Sequence, residues 1–164
     1  SADQFTVSNV SLRVEADTYL LDSDIDLQLS EEVTEALENG VTITVVFETD
    51  VVRTRLWTWD EKVADIEARH SIEFYALSGI YVLRHIELGI SRSYTRLYVL
   101  LEDLGRVRGF PLIARPRVDP GEAYLVRVRA RLDIESLPSP LRPLAYLSSL
   151  WRLQSDWVEH PLQP

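Results

Sequence analysis

The sequence contains no cysteine and no methionine among its 164 residues. Without cysteine, disulfides, thiolate metal ligands and a cysteine nucleophile are excluded. Because translation starts at methionine, we expect that a leader was cleaved from the natural N-terminus, or that the chain was trimmed and Ser1-Ala2 remains from cloning. No apolar run approaches the roughly 20 residues that span a bilayer, so we expect a soluble chain without a transmembrane segment.

Basic residues are also scarce. The chain has 17 lysines and arginines against 26 aspartates and glutamates, which gives a net charge of −9 at pH 7. A phosphate backbone repels a chain this acidic, so we expect no nucleic-acid partner. The same charge argues against simple electrostatic docking on anionic lipid.

Alternation of apolar and polar residues predicts strands over much of the chain. In the clearest run, from Tyr124 to Leu132, apolar side chains face one way while Arg127, Arg129 and Arg131 face the other and are expected to be exposed. Seven to nine strands at hairpin spacing predict a mainly β fold, a two-layer antiparallel β-sandwich that is immunoglobulin-like or related. We expect residues 3–160 to form one such domain.

Changes of period predict two or three short helices. Ser30 can cap the first, and Asn39-Gly40 supplies its stop. A second is predicted over residues 95–105, where four leucines at helical spacing should pack on a sheet edge or on an open end of the sandwich. A third is predicted from Leu141 to Leu147, after a proline-rich elbow, and a final strand from Trp151 to about Val158.

The best candidate for a binding surface lies in a β-rich stretch predicted from Val41 to about Trp59. If that stretch is one strand, two guanidinium groups and two indoles share one of its sides, those of Arg53, Arg55, Trp57 and Trp59. Tryptophan and arginine are enriched in interface hot spots, so we predict a protein-binding face. Alternatively, a bulge shifts the parity and leaves the tryptophans in the core.

Asp22, Asp24 and Asp26 are three acids at a spacing of two. A calcium loop would also need a glycine turn and a distal glutamate, and neither is present. We therefore expect no metal site, and expect these acids to line the solvent face of a strand. The arginine row of residues 127–131 either binds an anion or, as we favour, is balanced by this aspartate row across the sheet.

The three histidines, His70, His85 and His160, look isolated and lack metal-ligand spacing. Glu67 or Glu73 can orient the ring of His70, and a serine–histidine–acid assembly of residues distant in sequence stays open. No nucleophile elbow, phosphate loop or HExxH motif occurs. We therefore predict no catalytic residue, no metal and no cofactor.

Several segments resemble a known group of proteins. They are Tyr19–Asp26, the stretch from Trp57 to Arg69 whose second part suits a helix or a strand, and Leu141–Leu147 with the following Trp151 and Trp157. Over nearly the whole chain the sequence is similar to an uncharacterised proteobacterial domain-of-unknown-function family of exported envelope proteins. The resemblance implies a mature periplasmic protein and supplies no activity.

The leading functional hypothesis is a non-enzymatic periplasmic binding or regulatory module that contacts another envelope protein. One alternative is a hydrolase that uses carboxylate or histidine chemistry, which would need paired buried carboxylates in a cleft. Another is a carrier of a small ligand or lipid between the two sheets, which would need a cavity there.

Overall fold

A computed structural model describes residues 4–55 and 57–163. Within them the chain forms nine strands and three α-helices. The strands are β1 (Thr6–Glu15), β2 (Thr18–Asp26), β3 (Ile43–Thr54), β4 (Glu61–Tyr75), β5 (Ile80–His85), β6 (Ile90–Tyr94), β7 (Arg106–Ala114), β8 (Ala123–Leu132) and β9 (Val158–Leu162). The helices are α1 (Glu31–Glu38), α2 (Leu97–Gly105) and α3 (Arg142–Leu147). None of these helices has the length and apolar character required to cross a membrane.

The strands form two antiparallel sheets of unequal size. The small sheet has the order β1–β2–β7, and the large sheet has the order β6–β5–β4–β3–β8–β9. Apolar side chains from β2, β3, β7 and β8 form one buried core together with residues of the helices. The predicted mainly-β fold with two antiparallel layers and short helices is confirmed.

Strand β8 shows the predicted alternation. Val126 and Val128 are buried on its inner face. On the outer face, the side chains of Arg127 and Arg129 are 35% and 25% exposed, so they are half-buried and the prediction that they are exposed is wrong. Trp157 covers them, because both guanidinium groups lie within 4.8 Å of the centre of its ring.

Helices α1 and α2 follow their sequence signals. The Ser30 hydroxyl accepts a hydrogen bond from the Val33 amide at 3.3 Å and caps α1. In α2, Leu100 and Leu104 are buried, and the helix packs against strands of both sheets at one end of the sandwich. Its last residue, Gly105, lies so close to β2 that a Cβ atom there would stand 1.9 Å from the Ile25 carbonyl oxygen.

The structure corrects several predicted boundaries. The stretch predicted from Val41 to Trp59 ends as a strand at Thr54, and the ambiguous run before Arg69 belongs to the long strand β4. The final strand was predicted to run from Trp151 to about Val158, but it begins at Val158 and ends at Leu162. Strands β6 and β7 lie in segments for which no strand was predicted.

Candidate functional site

The tip of the β3–β4 hairpin presents two solvent-exposed indoles. Trp57 is 94% exposed and Trp59 is 90% exposed. Arg55 lies beside them, and its guanidinium group contacts the Glu61 carboxylate at 2.6 Å. Because β3 ends at Thr54, these residues belong to a connection, so the strand-parity argument that grouped them is wrong. The tip nevertheless has the required property, an accessible indole next to an arginine.

Arg53 has a different environment from the other three candidate residues. Its guanidinium group contacts Asp119 at 2.7 Å and the Tyr124 hydroxyl at 3.2 Å, and it stacks 5.6 Å from the centre of the Tyr124 ring. The side chain is only 18% exposed. Arg53 therefore connects the base of the hairpin to the segment that leads into β8. We call Arg55, Trp57 and Trp59 the hairpin tip.

The arginines of β8 are balanced by glutamates of their own sheet. Glu48 on β3 lies opposite Arg129, and its carboxylate accepts hydrogen bonds from Arg129, at 3.0 Å, and from Arg131. Arg127 lies 3.9 Å from Glu159 on β9. The expectation that the aspartate row balances these arginines is wrong, because strand pairing places that row in the other sheet.

The aspartates of β2 pair within the small sheet. Asp22 contacts Arg13 at 3.1 Å and accepts a hydrogen bond from the Gly109 amide at 2.7 Å. Both contacts lower the pKa of the Asp22 carboxyl group, and the Gly109 amide has the larger effect. Asp24 contacts Arg108 at 2.8 Å. Across residues 4–55 and 57–163, no group of three or more histidine, aspartate or glutamate side chains is arranged to hold a metal ion.

Two of the histidines are neighbours, contrary to the expectation that all three are isolated. Residues His70 and His85 lie opposite each other on β4 and β5, with their ring centres 5.2 Å apart. The Nδ1 atom of His70 lies 3.1 Å from the Val45 carbonyl oxygen and must donate to it. Burial lowers the pKa of His70 to about 4, so at neutral pH the ring is uncharged and Nε2 is an acceptor.

Neither of the two glutamates that could orient His70 from their place in the sequence does so. The Glu67 carboxylate pairs with Arg69 at 2.7 Å, and that of Glu73 pairs with Arg84 at 3.3 Å. Residues 67 and 73 differ from residue 70 in strand parity, which places their side chains on the outer face of the large sheet. A carboxylate–imidazole pair is therefore not formed at His70.

A pair of carboxylates does occur, on the outer face of the large sheet. Asp50 lies opposite Asp65, is only 4% exposed, and has Lys62 at 3.6 Å. Burial raises the pKa of the Asp50 carboxyl group. Asp65 is exposed, and Asp50 does not line the cavity between the two sheets. The enclosed acid–base site that the hydrolase alternative needs is not formed by this pair.

A cavity of about 360 Å³ lies between the two sheets. Inner-face residues of β3 and β4 form its floor, β2 and β7 form its roof, and α2 closes one end. Its lining is mainly apolar. The residues that line it include Thr49, Ile66, Glu67, Ala68, His70, Glu87, Asp103, Arg106 and Arg108. We call this cavity the inter-sheet cleft. Sequence patterns did not locate it, because strand pairing and helix docking bring its walls together.

Comparison with known proteins identifies a family but no activity. Residues 2–161 match the family described as a domain of unknown function, DUF4390. The chain belongs to this family. Neither the curated proteins nor the solved structures include a match to the chain.

Proposed function

We propose that the chain is a non-enzymatic periplasmic binding module that contacts another envelope protein through the hairpin tip. The observation that carries this proposal is the exposure of Trp57 and Trp59, at 94% and 90%, beside Arg55. Removing apolar surface from water is favourable by about 25 cal/mol of free energy per Å². An indole has one of the largest apolar surfaces among side chains. Two indoles held in solvent therefore favour association with a partner.

The base of the hairpin supports a pre-organised tip. Arg53 is held by Asp119 and Tyr124 and also lies 3.7 Å from Glu61, on the opposite strand of the hairpin. These contacts cross-link both strands of the hairpin and β8. A surface that is already ordered loses less conformational entropy when it binds.

The composition of the tip suggests the chemistry of the partner. The two indoles would need an apolar depression on the partner's surface. The Arg55 guanidinium group, which already contacts Glu61, favours acidic residues around that depression. The net charge of −9 opposes a nucleic-acid partner. The periplasmic location of this proposal is supported by the resemblance of residues 19–26, 57–69 and 141–147 to proteobacterial exported proteins.

Crosslinking in living cells tests the proposal. A photoreactive phenylalanine analogue would replace Trp57 in the natural full-length protein, and Leu77 in a control. Leu77 is also fully exposed, in the turn beyond the far end of β4. Fifteen residues of strand separate the two turns by roughly 45 Å. We expect a discrete protein adduct, in the periplasmic fraction, from position 57 only.

Affinity for the identified partner provides the quantitative check. Replacing Trp57 and Trp59 with alanine should weaken binding at least about 30-fold, the effect of losing one hot spot of about 2 kcal/mol, whereas Leu77→Ala should leave binding unchanged. Equal adducts from both positions, an exclusively cytosolic protein, or an unchanged affinity of the double variant would each contradict the proposal. Tryptophan-dependent binding to phospholipid vesicles, with lipid as the only adduct, would instead identify the tip as a membrane anchor.

A further inference from the structure

The inter-sheet cleft exists because the three-stranded sheet covers only part of the inner face of the six-stranded sheet. On that face, Ile66 and Ala68 of β4 stay half-buried, whereas Ile72 on the same face is fully buried. The small side chain of Ala68 leaves space opposite β7. The result is a mainly apolar cleft that is partly open to solvent.

Thr49 contributes a hydroxyl-bearing side chain to the lining of the cleft. Thr49 lies on the inner face of the central strand β3, is only 2% exposed, and lines the cleft. Among the residues that the structure describes, none hydrogen-bonds to its hydroxyl group. The buried polar side-chain atoms of the described residues that lack a partner are the Nε atoms of Arg53, Arg127 and Arg129, and the Thr49 hydroxyl group is not one of them. The Thr49 hydroxyl group is therefore reachable from the cleft, where it can donate a hydrogen bond to a ligand and accept one from it.

The charged residues that line the cleft are all paired. Arg106 contacts Asp103 at 3.1 Å, and Arg108 contacts Asp24 at 2.8 Å. At the mouth, Glu87 lies 3.8 Å from the guanidinium group of Arg69. The Glu67 carboxylate, on the outer face of the large sheet, lies 2.7 Å from the same guanidinium group. The mouth therefore offers no free cation within the described residues to hold a carboxylate or a phosphate, which favours an uncharged ligand.

We infer that the inter-sheet cleft binds a neutral single-chain lipid whose hydroxyl group hydrogen-bonds to Thr49. The volume of about 360 Å³ lies near the lower end of the roughly 300–1,000 Å³ typical of small-molecule sites. A cleft of this size suits one aliphatic chain and not two. A hydroxyl group both donates and accepts, so it can satisfy Thr49 without introducing a charge. This site is independent of the hairpin tip.

Calorimetric titration with 1-decanol tests the inference, with decanoate at pH 7.5 as the charged analogue of equal chain length. We expect saturable one-to-one binding of 1-decanol, at least tenfold tighter than that of decanoate. Ala68→Leu should fill the cleft and abolish binding. Ala64→Leu is the matched control, because residue 64 is a half-buried alanine on the same face of β4 that does not line the cleft.

Thr49→Val tests the hydrogen bond itself. It keeps the shape of the side chain and should weaken 1-decanol binding five- to tenfold while leaving the weak binding of decanoate unchanged. This variant also keeps the inference testable if Ala68→Leu does not fold. No saturable binding of 1-decanol by the parent chain, tighter binding of decanoate, or equal loss in both alanine variants would overturn the inference. None of these results bears on crosslinking at the hairpin tip.

Discussion

Protonation of His70 should destabilise the sandwich in mild acid. The ring is buried against Val45 and Phe47, and its pKa is lowered from an ordinary value near 6.5 to about 4. Between these two pH values the unfolded chain binds a proton that the native chain does not, so stability rises with pH. Above about pH 6.5 His70 is unprotonated in both states, and this destabilisation is absent. Below pH 4 the full destabilisation is roughly 3 kcal/mol, a large share of a typical 5–15 kcal/mol.

Urea unfolding of the parent chain and of His70→Gln, at pH 7.5 and at pH 5.0, measures this effect. Carboxylates with lowered pKa values, such as that of Glu48 beside Arg131 and Arg129, also lose stabilisation in acid. Both chains contain these carboxylates and His85, so their contributions cancel in the comparison. Between the two pH values the parent should lose about 2 kcal/mol more than the variant, from the proton linkage of His70 alone.

The outcome that refutes this reasoning is an equal loss of stability in the two chains. It would mean that the native state accommodates the charged imidazole, and hence that the inner face of β4 is more hydrated than its burial indicates. The lower stability expected of His70→Gln at pH 7.5 does not affect the test, because only the change with pH is compared.

Two further predictions concern packing. Gly105→Ala places a methyl group against the Ile25 carbonyl oxygen, so α2 must shift. The midpoint of urea unfolding should fall by the equivalent of roughly 1–3 kcal/mol of stability. An unchanged midpoint would show that the close approach of α2 to β2 is not rigid. Val128→Asp buries an unpaired charge and should lower the free energy of unfolding by several kcal/mol. Leu77→Asp, at a fully exposed turn, should change it by less than about 0.5 kcal/mol. Similar losses in the two variants would contradict the assignment of Val128 to the buried face.

The sequence predicted elements well where the local pattern was strict. Strand β8 alternates without interruption, and α1 has both a capping serine and a glycine stop. Strand β7 was missed because Gly109, with φ of +65°, and Pro111 interrupt its alternation. Both are tolerated because β7 lies at the edge of the small sheet. Strand β6 was missed because its side chains are exposed or only half-buried and give no apolar signal.

The candidate sites show a different limit. Composition indicated that the tryptophans and arginines near residue 55 are unusual, and the structure exposes both indoles. The sequence could not show that Arg53 contacts Asp119, or that Glu48 and not Asp22 balances the β8 arginines. These partners depend on which strands pair and in which register, and many alternative pairings satisfy the same alternation. The inter-sheet cleft was harder still to predict, because residues of six strands and a helix line it.

Strand β4 links the ambiguous part of the sequence to the cleft. The segment from Glu61 to Arg69 is rich in alanine, glutamate, lysine and arginine, which favour helices, and it suited a helix as well as a strand. Its inner face carries Ala64, Ile66 and Ala68 in place of a row of large β-branched or aromatic residues. Pairing with β3 over the length of the segment overrides this weak preference. The same small side chains that obscured the strand in the sequence leave the space for a ligand between the sheets. Local rules often fail at functional sites, and this coincidence is a reason to test the cleft first.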